Sequence, residues 1–252
     1  MNWKDLPREM DQLLDRLFPL NRSLTGSGNR KTLEILSEIV PLEIHEYPSG
    51  TEVFDWTIPP EWDLQEGWID DADGRRLIDV SDSNLHVMGY SDPIRKRMSF
   101  RELSPNLHTT SSDEDAIPYR TSYYERAWGF CVSKKQFQLL EEAKQPLDVC
   151  IKSSLNHQGS MTVAELIIPG QSEEEYFVST YFCHPSMAND NLSGLVLTTF
   201  LAKILLARKA RLEKSWRFIF VPETIGAISY LKYNANAMRG VKGGFVASCC
   251  GG

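Results

Sequence analysis

The chain of 252 residues is 42% hydrophobic and carries a formal net charge of −7. That is enough apolar material for a substantial core, and a negative field that repels phosphate-rich surfaces, so nucleic acid and anionic membrane are excluded as partners. The five cysteines are an odd number without a Cys-x-x-Cys pair, and they read as reduced core residues of a cytoplasmic protein.

The opening, MNWKDLPREMDQLLDRLFPLN, is charged throughout and lacks the apolar run and cleavage signature of a secretory signal. Leu13, Leu14, Leu17 and Phe18 keep a helical rhythm, and a second helix runs through Leu33, Leu36, Ile39 and Val40 up to Pro41. Alternation of Leu42 and Ile44 with Glu43 and His45 then predicts a half-buried strand with the aliphatic residues inward. From residue 56 to 156 the texture changes to short strand candidates: EGWIDDADGRRLIDV with a turn at DADG, LHVMGYSD, IPYRTSYY, WGFCVS and PLDVCIKSSL. This stretch reads as an inserted β-rich domain with an exposed acidic loop at SSDEDAIP.

Residues 1–55 and 157–252 form the surrounding α/β core in this reading. SMTVAELIIPG and EYFVSTYFC are strands joined by an acidic turn, SGLVLTTFLAKILLARKA is a helix, and WRFIFVPE is a nearly all-apolar strand. A helix over AISYLKYNANAM and a strand at GGFVASCC follow. Strand and helix alternation predicts a mixed sheet covered by helices. The most apolar helix is interrupted by Lys203 and is too short to span a bilayer.

Sites in open α/β sheets gather at the carboxyl ends of strands. His184 ends one apolar strand, Glu223 ends another, and Asp190 lies in the loop leaving the first. Imidazole and carboxylate converging there suit zinc, with Glu223 taking a proton from an activated water. Each residue alone has a plainer explanation: a hydrogen-bonded histidine, an Asn/Asp turn, a helix cap. Together, each at the exit of a buried strand, they point to a site.

These residues carry a resemblance. ELIIPG, EEYFVSTYFCHPSMANDNLSG and FIFVPETIGAISYL resemble the zinc aminopeptidase superfamily of the MH clan. LFPLNRSLTG, PLEIHEYPSGTEVFDWTIPPEW and DSNLHVMGYSDPI are similar to its bacterial aminopeptidase-like proteins labelled for polysaccharide biosynthesis. The resemblance implies a zinc exopeptidase-like core, His184 and Asp190 as metal ligands and Glu223 as general base. It also implies metal-assisted hydrolysis of a small peptide or amide substrate. The family usually has an Asp where this chain has Ser186 and a metal-binding Glu where it has Thr224, so one zinc is expected and a second only loosely held. The family's remaining ligands would fall beyond Gly252, so the chain is expected to be a fragment, truncated at its C-terminal end and inactive on its own. A homo-oligomer stays open.

Three rivals were weighed against this. A Cys183/His184 nucleophile pair is disfavoured because neighbours on a strand point to opposite faces. Ser193 lacks the glycine pattern of a nucleophile elbow and reads as a helix cap. His45, His86, His108 and His157 show no ligand spacing and read as structural or surface residues. The rival from another class is an inactive aminopeptidase-like binding module, favoured by Ser186 and Thr224.

Overall fold

The computed structural model describes residues 3–111 and 113–251. Met1 and Asn2 of the opening stretch, Ser112 of the acidic loop and Gly252 lie outside them. The chain divides into two compact units, Met1–Glu61 with His157–Gly252, and Trp62–Asn156; the sequence reading had set the first boundary at residue 55.

In the first unit, α1 (Leu6–Leu17) and α2 (Ser27–Ser37) precede β1 (Glu43–Pro48). After the second unit come β2 (Ser160–Ile168), β3 (Glu175–Tyr181), α3 (Gly194–Leu206), β4 (Ser215–Val221), α4 (Ile225–Met238) and β5 (Val241–Val246). The strands form one sheet in the order β1-β2-β4-β3-β5. β1 and β2 are antiparallel, as are β2 and β4, while β3 lies parallel to both β4 and β5. The architecture is the expected mixed sheet covered by helices.

Alternation along the strands sorts the two faces. Ala164, Leu166 and Ile168 of β2 and Phe218 and Phe220 of β4 join Leu13, Leu17, Leu33, Leu36, Leu195 and Phe200 in one core beneath α1, α2 and α3. The opposite face carries Glu165 and Arg217, and Tyr230 of α4 hydrogen-bonds to both. The chain passes from β3 to β4 on one side and then crosses to β5 on the other. The switch point of the sheet therefore lies at β3, and in open α/β sheets sites gather at the carboxyl ends of the strands beside that point.

At β1 both faces are partly covered: Leu42, just before the strand, packs against that core, and Ile44 lies opposite Ala164 on the same side but stays 44% exposed. On the other side Tyr47 is buried and stacks on Tyr233 of α4, ring centroids 4.4 Å apart.

The second unit contains a four-stranded sheet ordered Arg76–Asp79, Glu61–Asp70, Leu147–Asn156, Ile94–Met98. Asp71 closes the DADG turn by accepting the amides of Asp73 and Arg75 at 3.0 and 2.9 Å. A helix that the sequence reading missed, Lys134–Glu141, is started by a capping box between Ser133 and Gln136. Among the described residues, LHVMGYSD and IPYRTSYY form no extended strand, contrary to expectation. They meet through an isolated bridge between Gly89 and Thr121, a Ser122 hydroxyl that donates to the Tyr90 carbonyl and an edge-on contact of Tyr90 with Tyr123.

Phe220, 0% exposed in β4, and Phe245, 65% exposed in β5, give a direct test of this packing. Phe220→Ala is expected to cost about 3–5 kcal/mol, and Phe245→Ala to stay within about 0.5 kcal/mol, both read from urea unfolding.

Candidate metal centre

The register of β3 against β4 pairs Tyr181 with Val221, and the Phe182 amide continues the ladder to the Val221 carbonyl at 3.2 Å. The two chains therefore leave the sheet side by side. His184 and Glu223 emerge together, with His184 Nε2 3.5 Å from Glu223 Oε2. His184 is buried, its side chain 7% exposed, and Glu223 is half exposed at 48%.

Cys183 joins them, against expectation. Its Sγ lies 3.6 Å from His184 Nδ1 and accepts the Glu223 amide at 3.2 Å. Strand alternation ends at Tyr181, so the rule that parts neighbouring side chains no longer applies here. Cys183, His184 and Glu223 form a group whose ligand atoms all lie within 4.8 Å of one another. Burial pushes the Cys183 thiol up to about 12, which keeps it protonated and a poor nucleophile.

Asp190 stands outside that group and is engaged by Tyr181, whose hydroxyl donates to its Oδ1 at 2.5 Å. The same hydroxyl lies 2.9 Å from Ser248 Oγ, and the Tyr181 ring lies 5.3 Å from the His184 ring, centroid to centroid. Tyr181 thus links Asp190 to the histidine. Burial and the Asp190 contact raise its pKa and hold the phenol neutral. Asn191 anchors the loop: its amide donates to Thr180 Oγ1, to the Tyr181 carbonyl and to the Ala247 carbonyl, and its oxygen accepts the Cys249 amide. Gly194 is required beside it, because an added Cβ would meet the Ala247 carbonyl oxygen at 2.4 Å.

Ser193 occupies the position before α3 without capping it. Its hydroxyl donates to the Asn189 carbonyl and accepts the Cys250 amide instead. Ser186 donates to the Phe18 carbonyl at 3.1 Å. Both Ser186 and Thr224 have positive φ, 45° and 58°. For β-branched Thr224 this is an unfavourable conformation, and such outliers gather at functional sites.

Arg22, from the loop after α1, was not singled out in the sequence. It is 1% exposed, and its Nε and one terminal nitrogen both donate to the His184 carbonyl, at 3.1 and 2.9 Å. The other terminal nitrogen donates to the Leu17 carbonyl at 2.5 Å. Burial lowers its pKa to about 10, so the group stays charged at neutral pH. The guanidinium fixes the backbone of His184 from behind while the ring faces Glu223.

Zinc takes nitrogen and oxygen ligands, and the donor set here fits it. Burial lowers the His184 pKa, with Asp190 and Glu223 offsetting part of the effect, so the imidazole is neutral and able to bind a metal.

The sequence profile of a family described as a domain of unknown function, DUF4910, matches residues 11–252. The chain belongs to the DUF4910 family. This DUF4910 chain is 47% identical over 243 residues to a Clostridium acetobutylicum protein provisionally named a polysaccharide biosynthesis protein with aminopeptidase-like domain, covering 96% of the chain and 55% of that relative. It matches a crystal structure provisionally described as a peptidase from Clostridium acetobutylicum with a TM-score of 0.93 and 46% identity, over 98% of the chain and 58% of that protein. The chain thus spans little more than half the length of these relatives. A zinc aminopeptidase from Bacillus subtilis shares the fold with a TM-score of 0.60 at 13% identity, over 96% of the chain and 68% of its own. A peptidase M28 precursor from Shewanella amazonensis does so with a TM-score of 0.54 at 11% identity, over 94% of the chain and 73% of its own. The DUF4910 chain therefore has an aminopeptidase-like fold. Among its described residues no helix is long and apolar enough to cross a membrane.

The His184 titration has a definite sign. Its folded value lies below the ordinary 6.5, so its contribution to stability is full above that pH and is lost as pH falls through the folded value. NMR titration of metal-free protein should give a midpoint under 6.5 for His184; one at or above 6.5 contradicts the burial argument.

Proposed function

We propose that this chain carries part of the site of a metal-dependent hydrolase of the aminopeptidase type, which cleaves an N-terminal peptide bond or a related amide. His184 and Asp190 hold zinc, and Glu223 is the general base. The observation that carries this reading is the 3.5 Å approach of His184 Nε2 to Glu223 Oε2 at the carboxyl ends of two adjacent parallel strands. The fold shared with the Bacillus zinc aminopeptidase supports the reaction class.

Zinc, when bound, supplies Lewis acidity to the scissile carbonyl and to a water molecule. His184 offers the metal its neutral Nε2, and Arg22 keeps the histidine backbone from shifting. Asp190 offers the carboxylate oxygen that Tyr181 leaves unengaged. Glu223 takes a proton from water as the water oxygen adds to the carbonyl carbon, then passes it to the amine as the carbon–nitrogen bond breaks. Its half-exposed carboxylate is within reach of both solvent and an incoming amide. Thr224 is a weak ligand where the aminopeptidases usually have a Glu, so one zinc is expected and a second only loosely held.

A second reading is favoured by one contact. Tyr181 already occupies an oxygen of Asp190, as expected of a pocket that keeps the fold but binds a ligand without turning it over. In that reading the protein is a binding module serving surface polysaccharide biosynthesis, the role in the provisional name of the Clostridium relative.

Chromogenic aminoacyl amides assayed with and without chelator separate the two. The hydrolase reading expects chelator-sensitive turnover that Glu223→Gln lowers by about 10²–10⁴-fold with zinc content unchanged. Turnover that survives Glu223→Gln overturns it, as does absence of turnover from the zinc-loaded protein extended to include the family's remaining ligands.

A further inference from the structure

A second set of metal-ligating side chains lies on β1 and β2 at the free edge of the sheet, with β4 between it and the strand that leads to His184. Glu43, His45 and Glu165 bring their ligand atoms within 4.8 Å of one another. β1 is the edge strand, and its register on β2 sets Glu43 directly opposite Glu165 and His45 opposite Val163. Residues two apart on a strand share a face, so all three side chains project to the same side. His45 Nε2 lies 3.4 Å from Glu165 Oε1 and 3.9 Å from Glu43 Oε1.

We propose that Glu43, His45 and Glu165 form a second binding site for a divalent transition-metal ion of the zinc class, with its remaining coordination open to solvent. The spacing carries the inference first. Charge-assisted hydrogen bonds close to about 2.7–2.9 Å, and neither His45 contact does so. Ligand atoms about 2.0–2.2 Å from a tetrahedral zinc lie roughly 3.3–3.6 Å from each other, which is the spacing His45 makes with Glu165 and which a small rotation of exposed Glu43 completes.

The surroundings orient the ligands. Arg217 donates to Glu165 Oε2 at 2.5 Å, and the Tyr230 hydroxyl donates to the same oxygen. That leaves Oε1 turned toward His45, an arrangement in which outer partners aim a ligating carboxylate. Arg217 is also held by Glu175 Oε1 at 2.6 Å, so within this network one guanidinium stands against three carboxylates, Glu43, Glu165 and Glu175. Like charges set directly across two strands destabilise the pair, and a divalent cation offsets the surplus. Entry is open, since the Glu43 side chain is 73% exposed and that of His45 29% exposed, while Glu165 at 8% forms the floor. A bound ion would staple the edge strand to its neighbour, where strand pairing is otherwise one-sided.

The site shares no residue with the His184 group, so the two are separable. Equilibrium dialysis of the full chain against zinc ion alone would compare wild type with His184→Ala, His45→Ala and Glu43→Gln. The proposal expects His184→Ala to retain a zinc that His45→Ala loses and that Glu43→Gln binds at least about tenfold more weakly. It also expects that zinc, added to His184→Ala, shifts the His45 ring nitrogen in the NMR spectrum. Zinc stoichiometry and affinity in both His45→Ala and Glu43→Gln equal to wild type would overturn it, as would an His184→Ala protein that binds no zinc. Should circular dichroism show His45→Ala unfolded, Glu43→Gln decides alone, because that side chain is largely in water.

Discussion

The parallel pairing of β3 with β4 is the constraint on which the rest of the site depends. Antiparallel neighbours would send the exits of these strands to opposite edges of the sheet, and His184 and Glu223 would never meet. Parallel pairing requires a crossover, which α3 supplies, and the crossover loop is the segment that carries Asp190 and Asn191. One topological choice thus brings the histidine, the acid and the aspartate loop to a single edge. The further crossing to β5 closes the other side, where Thr180 and Asn191 bind the Ala247 carbonyl.

Holding that edge in place takes buried polar groups, and each has a partner. A buried guanidinium is costly unless its donors are satisfied, and Arg22 meets this requirement with two backbone carbonyls instead of a carboxylate. Burial, with a smaller contribution from the Arg22 charge, keeps His184 in the neutral form that a metal needs, against the opposing pull of Asp190 and Glu223. Cys183 belongs to the same scaffold. Its sulfur bridges the histidine ring and the Glu223 amide, so a thiol too well buried to react instead sets the spacing of the two groups that can.

The core strands and helices were legible in the sequence because their periodicities are long and their burial is complete, as in FIFV of β4. The strand-end positions of His184 and Glu223 were legible for the same reason: a polar residue that interrupts an apolar run marks an exit. What failed did so where local pattern yields to tertiary contact. Tyr47 is buried while Ile44 on the other side of β1 stays exposed, because Tyr233 stacks on the tyrosine, a partner far away in sequence. Cys183 was set apart from His184 by a strand rule applied beyond the strand's last residue. Arg22 gave no local signal at all, since its partner His184 is 162 positions away. His45 looked isolated for a similar reason: Glu43 beside it was visible, but Glu165 reaches it only through strand register.

The central claim is that His184 is a zinc ligand facing Glu223, and the anomalous scattering of zinc-loaded crystals at the zinc edge tests it most directly. The account predicts a peak about 2.0–2.1 Å from His184 Nε2, on the side that Glu223 faces. A zinc-loaded crystal with no peak within bonding distance of that nitrogen would contradict it.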